Sequence, residues 1–146
     1  MANTSAMCTS FKQEILVATH NFTASTGNTF KIALYDSDAT LGASTTAYSS
    51  SEEITNTSGT AYTAGGATLT SVTPTTSGTT AFCYFAPDIS WTSASFTANA
   101  ALIYNSSASN KAVAAIAFGG DKTVTNGTFT IQFPTADASD AIIRIA

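Results

Sequence analysis

The stretch ALIYNSSASNKAVAAIAF, residues 101–118, contains two apolar runs separated by a polar turn. Residues 101–104 and 112–118 are almost wholly apolar, whereas Asn105–Asn110 is rich in Asn and Ser. Short apolar runs bounded by turn residues are typical of strands that are covered on both faces. The stretch therefore predicts two core strands, and the rest of the chain can be read outward from them.

Further strand signals lie on both sides of this stretch. Alternating or aromatic runs predict strands at Phe30–Tyr35, Ala67–Thr73, Thr80–Phe85, Thr128–Phe133 and Ile142–Ile145. Pro74 is expected to close the second of these, and a short turn is expected between Ile89, Trp91 and Phe96. Turn signals separate the strands at Gly65-Gly66, Ser77-Gly78, Gly119–Lys122 and Asn126-Gly127. An Asn-Gly pair between strands is a strong cue for a hairpin.

One helical pattern lies near the N-terminus. Apolar residues recur there at helical spacing, at Phe11, Ile15, Ala18 and Phe22. Polar residues occupy other positions on the same turns, namely Lys12, Gln13 and Glu14. Ser10 followed by Gln13 matches a capping box, in which the two side chains satisfy free amides of the first turn. These signals predict a helix at about 10–21, which the Asn-rich segment Asn21–Asn28 ends.

Together these elements predict an all-β fold with one helix. Seven or eight short strands favour a single β-sandwich, Ig-like or jelly-roll-like, with the helix over an open end or a sheet edge. Residues 1–9 are polar and unpatterned and are expected to form an N-terminal arm ahead of one domain spanning 10–146. Within 40–60 the pattern is weakest, and Thr45–Glu53 fits either a short helix or a loop.

The composition predicts a folded protein with an unusually neutral surface. Thr, Ser and Ala make up about half of the chain, and 10% of residues are charged, against about 25% in an average domain. The chain nevertheless has 44% hydrophobic residues, including nine Phe and five Tyr, which disordered chains lack. Hydroxyl and methyl groups cost little to desolvate and to order, so this surface suits extensive contact with other proteins. A weakly charged secreted or marine protein is the alternative.

Charge and hydropathy exclude several classes of partner. The net charge is −4 and the five basic residues are scattered, so no basic stripe predicts nucleic-acid binding. Apolar runs fall well short of the roughly 20 residues that cross a bilayer. The first residues have neither a basic nor an apolar segment of a secretory signal, which predicts synthesis in a cytoplasm. Cys8 and Cys83 are then expected to be free, partly buried thiols, although a disulfide stays open.

No catalytic constellation emerges from the residue types and their spacing. The single histidine, His20, falls at the predicted helix C-terminus, where a structural role is expected. One His and two distant Cys do not make a zinc site, and no nucleophile elbow is present. Glu52 and Glu53 are adjacent and would point to different faces, unlike a glycosidase pair. We therefore expect no enzyme activity, no catalytic residues and no cofactor.

A metal site is also not expected. Asp36 and Asp38 could offer oxygen ligands to calcium, but the pattern lacks the third ligand and the terminal Glu of an EF-hand. Acidic residues two apart after a strand are more typical of an Asx turn, in which the side chain binds nearby backbone. The two aspartates are accordingly interpreted as turn residues.

Several segments resemble a family of short structural proteins from the virions of tailed, often marine, bacteriophages. The resemblance is carried, in chain order, by residues 7–16 (MCTSFKQEIL), 28–35 (NTFKIALY), 62–66 (YTAGG), 102–105 (LIYN) and 133–137 (FPTAD). These segments span nearly the whole chain, and none of them is a catalytic motif. The resemblance implies a structural role in a virus particle and assigns no functional residue.

Residues and resemblance together predict a protein that works by assembly. The favoured role is a capsid decoration or cement protein that binds the major capsid shell, as a homo-oligomer or array, with residues 1–9 lying along a neighbouring subunit. A tail, neck-adaptor or fibre component is an alternative within the virion. A carbohydrate-binding β-sandwich is an alternative of another class, with stacking faces from Trp91, Tyr84, Tyr104 and Tyr62 and calcium on Asp36 and Asp38.

Overall fold

The computed structural model describes residues 2–55 and 62–146 and has two antiparallel sheets arranged like a sandwich, with one short helix. The elements are β1 Ala6–Met7, α1 Thr9–Leu16, β2 Phe30–Tyr35, β3 Ala67–Thr68, β4 Ser71–Ser77, β5 Thr80–Phe85, β6 Ile89–Asn105, β7 Lys111–Ile131 and β8 Ile143–Ile145. The five-stranded sheet has the order β1-β7-β6-β2-β3, and the three-stranded sheet has the order β4-β5-β8. The predicted all-β class with one helix is confirmed.

The core lies between the sheets and is largely aromatic at one end. Phe30 of β2 and Phe85 of β5 have ring centroids 6.0 Å apart, and Phe22 stacks on Phe30 at 4.2 Å. Phe22 lies in the segment between α1 and β2, so this loop fills the space between the two sheets. Three adjacent aromatic rings bury a large apolar area, which stabilises the packing of the two sheets.

The stretch that opened the sequence analysis forms the centre of the larger sheet. Leu102 of β6 pairs with Ala33 of β2 on one side and with Ala115 of β7 on the other. Residues 100–105 are all buried, as the apolar run predicts for a central strand covered on both faces. The boundaries of β2 and β5 are those predicted from their patterns, and the Ser77-Gly78 and Asn105–Asn110 turns are confirmed.

The turns predicted at Gly119–Lys122 and Asn126-Gly127 are wrong. These residues lie within the long strand β7, where they form irregularities in its pairing with β6. Gly119-Gly120 and Asn126-Gly127 both lie inside the 21-residue β7. The pairing register shifts where they occur, opposite Ala98–Ala100 and Ala94–Phe96. The short turn expected between Ile89 and Phe96 is likewise absent, and Ser93 takes a positive φ of 51° at another shift within β6. Bulges and turns use the same residues, so local sequence does not separate them.

Pro74 does not close a strand as predicted. The expected strand Ala67–Thr73 divides into β3, which joins the larger sheet, and β4, which contains Pro74 and joins the smaller one. The register of β4 shifts between Val72 and Thr75, around the proline. Proline has no amide hydrogen to donate, and an edge strand with a bulge is where a sheet tolerates it.

Helix α1 is shorter than the predicted 10–21 and its expected cap is not formed. It begins at Thr9 after Cys8, whose side chain makes no capping hydrogen bond, and the Ser10 hydroxyl is buried without a partner. The helix ends at Leu16 because Ala18 takes a positive φ of 60°, which turns the chain away. Glu14, expected among the polar positions, is buried with 7% of its surface exposed.

The predicted N-terminal arm belongs to the domain itself over residues 2–8. Ala6 and Met7 form β1 and pair with Ala115 and Ala114 of β7. The Asn3 side chain donates to the Asp36 carbonyl at 3.0 Å, and its Oδ1 accepts from the Leu41 amide at 2.9 Å. These contacts occupy the side-chain amide of Asn3 within the same domain, so this group is not free to bind a neighbouring subunit as the arm prediction requires.

The segment from Thr45 to Glu53 is a loop rather than a short helix. It touches the sheet through two isolated bridges, Ala47 to Lys111 and Glu53 to Tyr35. The rest of the weakly patterned region, 56–61, lies outside the described residues. Cys8 and Cys83 are both buried free thiols, and burial raises their pKa to about 11 and about 12. Over the described ranges, the one helix is too short to cross a membrane.

Candidate functional site

A buried carboxylate surrounded by tyrosines lies where the loop of residues 48–53 meets the Gly65-Gly66 turn. Glu53 is 7% exposed. Its Oε1 accepts hydrogen bonds from the Tyr62 hydroxyl at 2.6 Å and the Gly65 amide at 2.7 Å, and its Oε2 accepts one from the Tyr48 hydroxyl at 2.7 Å. The Tyr104 hydroxyl donates to the Gly65 carbonyl at 2.7 Å. We call these five residues the Glu53 cluster.

The phenols of the Glu53 cluster stay protonated. Burial is the main cause that raises the pKa of Tyr62 and of Tyr48 well above the usual value, and their hydrogen bonds to Glu53 add to it. Burial and the charge of Glu53 raise the pKa of Tyr104 to about 12. Each phenol can therefore act as a hydrogen-bond donor at neutral pH, and none is poised to act as a base.

This arrangement holds the fold together through hydrogen bonds among residues in the described part of the chain. The Glu53 carboxylate is occupied by three donors, and the Tyr62 hydroxyl also accepts the Leu34 amide of β2 at 2.9 Å. The cluster thus ties a loop, a turn and the central strands together. Charge-assisted hydrogen bonds of this kind are about twice as strong as neutral ones, so the cluster is a structural site.

A second buried polar group joins the helix to the β6–β7 turn. His20 Nε2 lies 2.6 Å from Glu14 Oε2, and Lys111 Nζ lies 3.3 Å from Glu14 Oε1. His20 Nδ1 lies 3.0 Å from Asn105 Nδ2, which also donates to Asn28 Oδ1 at 3.0 Å. We call these five residues the His20 cluster. His20 lies beyond the end of α1, so the predicted location at the helix terminus is wrong, while a structural role fits these contacts.

The electrostatics of the His20 cluster centre on Glu14. Burial by itself raises the pKa of the Glu14 carboxyl, but the hydrogen bonds from His20 and Lys111, together with the charge of Lys111, hold the pKa below its usual value. Glu14 is therefore ionised at neutral pH and accepts from both partners. The ring nitrogens of His20 face Glu14 and Asn105, and among the residues that the structure describes no hydroxyl or thiol bonds to the ring as the nucleophile of a catalytic triad would.

An acidic group lies at the surface beside the Glu53 cluster. Asp36, Asp38 and Glu52 each place a carboxylate oxygen within 4.8 Å of the others, and two of the three are exposed. Asp36 Oδ1 accepts the Asp38 amide at 2.9 Å, which is the Asx turn expected from the sequence. Calcium takes six to eight oxygen ligands, among them bidentate carboxylates, backbone carbonyls and waters, and exposed acidic groups of this kind are common without an ion.

The aromatic residues suggested for carbohydrate stacking are mostly in the core. Tyr62 is fully buried, Tyr104 is 3% exposed and Trp91 is 6% exposed. Trp91 packs against Phe129 and Tyr62, at centroid distances of 6.2 and 5.6 Å. A sugar cannot stack on a ring whose faces are covered by other side chains, so these residues do not form the suggested binding face; Tyr84 is half-buried.

Both clusters escape sequence reasoning, the Glu53 cluster because no regular spacing marks its members and the His20 cluster because its members are far apart in the chain. Glu53 and Glu52 do point apart as the sequence predicts, one buried and one exposed, but nothing local identifies Tyr48 and Tyr62 as the partners of Glu53. In the His20 cluster, Glu14 and Lys111 are 97 residues apart. The one available signal was the scarcity of charge, because a carboxylate in a weakly charged chain is worth testing for burial.

No family model, curated protein or solved structure matches the chain.

Proposed function

We propose that this chain is a non-enzymatic structural protein of a tailed-bacteriophage virion, and within the virion a decoration protein that binds the capsid shell. The resemblance described above motivates the virion, and the observation that supports assembly is the free edge of β7. Residues 118–131 of β7 make backbone hydrogen bonds to β6 on one side, and no strand covers their other side in the described part of the chain.

The part of the β6–β7 hairpin that lies away from its turn presents two different surfaces. One carries a ladder of hydroxyl pairs, with Ser90 and Thr130 at 2.8 Å and Thr97 and Thr123 at 2.9 Å. The other borders a groove of about 560 Å³ whose lining is mainly apolar and includes Phe118, Phe129 and Phe133. An unpaired strand edge beside an apolar groove suits the addition of a strand from a shell subunit, with backbone hydrogen bonds along the edge and side chains in the groove.

Binding to shells that lack this chain tests the proposal. We expect the purified protein to co-sediment with such shells and to saturate at a simple ratio to the major capsid protein. Lysines on a strand edge oppose pairing, so Thr125→Lys with Thr128→Lys is expected to weaken this binding at least tenfold. Thr40→Lys with Ser44→Lys adds the same charge at exposed loop positions and is expected to leave binding unchanged. Equal binding by both variants would contradict the proposed edge, and no binding by the unmodified chain would contradict decoration.

A tail, neck-adaptor or fibre component is the second candidate. The same free edge would serve it, and the two roles differ in the number of copies per particle rather than in chemistry.

A further inference from the structure

His20 is the single histidine of the chain and its side chain is fully buried. The ring lies between Phe11 and Phe30, at centroid distances of 4.9 and 6.4 Å. Each ring nitrogen faces one polar partner, Glu14 on the Nε2 side and Asn105 on the Nδ1 side. A neutral imidazole has one donor and one acceptor nitrogen, so the partners determine which nitrogen carries the proton.

The orientation of the Asn105 amide is fixed by the backbone. Its Oδ1 accepts the amides of Ser107 at 3.0 Å and Ala108 at 3.2 Å, which closes the turn between β6 and β7. Turning the amide around would point its nitrogen at these two donors and lose both bonds. The side chain is fully buried, where an unpaired donor costs about 1–3 kcal/mol. The nitrogen of Asn105 must therefore face His20.

The second partner of Asn105 is also fixed as an acceptor. Asn28 Oδ1 accepts the Asn21 amide at 2.8 Å, and so it is the oxygen of Asn28 that faces Asn105. Asn105 Nδ2 has two hydrogens, one for Asn28 Oδ1 and one for His20 Nδ1 at 3.0 Å. His20 Nδ1 must then accept, and Nε2 must carry the ring proton and donate it to Glu14 at 2.6 Å.

We infer that His20 is a neutral imidazole protonated on Nε2, and that the His20 cluster is an acid-sensitive fastener between helix α1 and the β6–β7 turn. A proton added at Nδ1 meets the amide hydrogens of Asn105. To relieve this contact Asn105 must move, and Ser107 and Ala108 then lose their acceptor. Acid therefore loosens the β6–β7 turn at its contact with His20.

Other charged and titratable groups around the ring act in known directions. Glu14 of α1 touches Nε2 and favours an added proton, whereas Asn105 opposes it. Lys111 of β7 lies against the other oxygen of Glu14 and reduces the negative potential that reaches the ring. Cys8 precedes α1 and stays an uncharged thiol, because burial is the main cause that raises its pKa to about 11. The fastener thus depends on the balance between Glu14 and Asn105.

Nuclear magnetic resonance of the chain labelled with ¹⁵N tests this inference directly, because every histidine signal comes from His20. Near neutral pH we expect Nε2 to be protonated and Nδ1 to be unprotonated. As the pH falls, the backbone amide signals of Ser107 and Ala108 should change with the same midpoint as the ring. A proton on Nδ1 near neutral pH would overturn the inference. Unchanged backbone amide signals of Ser107 and Ala108 during the titration of His20 would also overturn it.

Two variants separate the hydrogen bond from the effect of charge. Asn105→Asp keeps an oxygen for Ser107 and Ala108 and offers a second oxygen to Nδ1, so the midpoint of the His20 titration should rise by at least about one pH unit. Asn28→Asp adds the same charge one hydrogen bond further from the ring, beyond Asn105, and should raise this midpoint less. Equal shifts in the two variants would overturn the proposed role of Asn105, and the measurement on the unmodified chain remains decisive if a variant fails to fold.

Discussion

Replacing Gly66 by alanine is expected to lower the free energy of unfolding by about 2–4 kcal/mol. A Cβ at this position would lie 1.8 Å from the Ile32 carbonyl oxygen, and the residue has a φ of +76°. The atom in the way belongs to the backbone of β2, so the turn and the strand must move apart. Forcing an extra carbon into a packed site costs about 1–3 kcal/mol, and a positive φ in a non-glycine residue adds of order 1 kcal/mol.

Gly78→Ala is the matched control for this substitution. Gly78 lies in the β4–β5 turn with a φ of +58°, and an added Cβ would meet no atom within 4 Å. Only the backbone conformation then opposes the change, and we expect a loss of about 1 kcal/mol. Denaturant unfolding, monitored by the fluorescence of Trp91, the single tryptophan, measures the loss of unfolding free energy in both variants. Equal losses would contradict the close approach of Gly66 to β2.

Replacing Glu53 by glutamine is expected to cost about 3 kcal/mol of folding free energy. The change preserves the shape of the side chain but places an amide nitrogen where one of two acceptor oxygens stood. Either the Tyr48 hydroxyl or the pair formed by Tyr62 and the Gly65 amide must then face a donor. Hydrogen bonds to a charged group contribute about 1.5–3 kcal/mol each, and a buried donor left unpaired costs about 1–3 kcal/mol.

Glu52→Gln makes the same chemical change one residue earlier. Glu52 is exposed and lies near the carboxylates of Asp36 and Asp38, so removing its charge should change stability by less than about 0.5 kcal/mol. The comparison is made by denaturant unfolding at neutral pH. If the two glutamine variants lose similar stability, the Glu53 cluster does not tie the loop to the sheet in the way described.

The fold class could be predicted because its signals are local and repeated. The alternation in Phe30–Tyr35 and the aromatic run Thr80–Phe85 gave β2 and β5 with correct boundaries, since buried strands need apolar side chains at fixed spacing. The lengths of β6 and β7 could not be predicted. Their irregular positions use Asn126-Gly127 and Gly119-Gly120, which form hairpin turns just as readily.

The other differences between the predicted and the observed elements, at the end of α1 and at β1, arise from tertiary contacts. The apolar spacing through Ala18 and Phe22 extends the helical pattern, but the chain leaves the helix at Leu16 so that His20 can reach Glu14 and Phe22 can stack on Phe30. Both interactions join segments that local propensity treats separately. Likewise, Ala6 and Met7 have little strand propensity of their own, and they become β1 because β7 offers them an edge.

The two clusters and the proposed role agree in one respect. The two buried carboxylates, Glu14 and Glu53, hold loops and turns against the sheets, and the free edge of β7 carries mainly uncharged residues, several of them hydroxyl-bearing. A rigid domain with an uncovered edge is suited to repeated contact with neighbouring proteins. This arrangement is compatible with our central proposal, that the chain is a component of a virus shell.

Quantitative mass spectrometry of purified virions, from a phage whose genome carries this sequence, tests that proposal most directly. The measurement is the number of copies of this chain relative to the major capsid protein. A decoration protein predicts a ratio of one or a simple fraction of one. A ratio corresponding to only a few copies per particle would contradict decoration and favour the tail or neck, and absence from the particle would contradict a structural role in the virion.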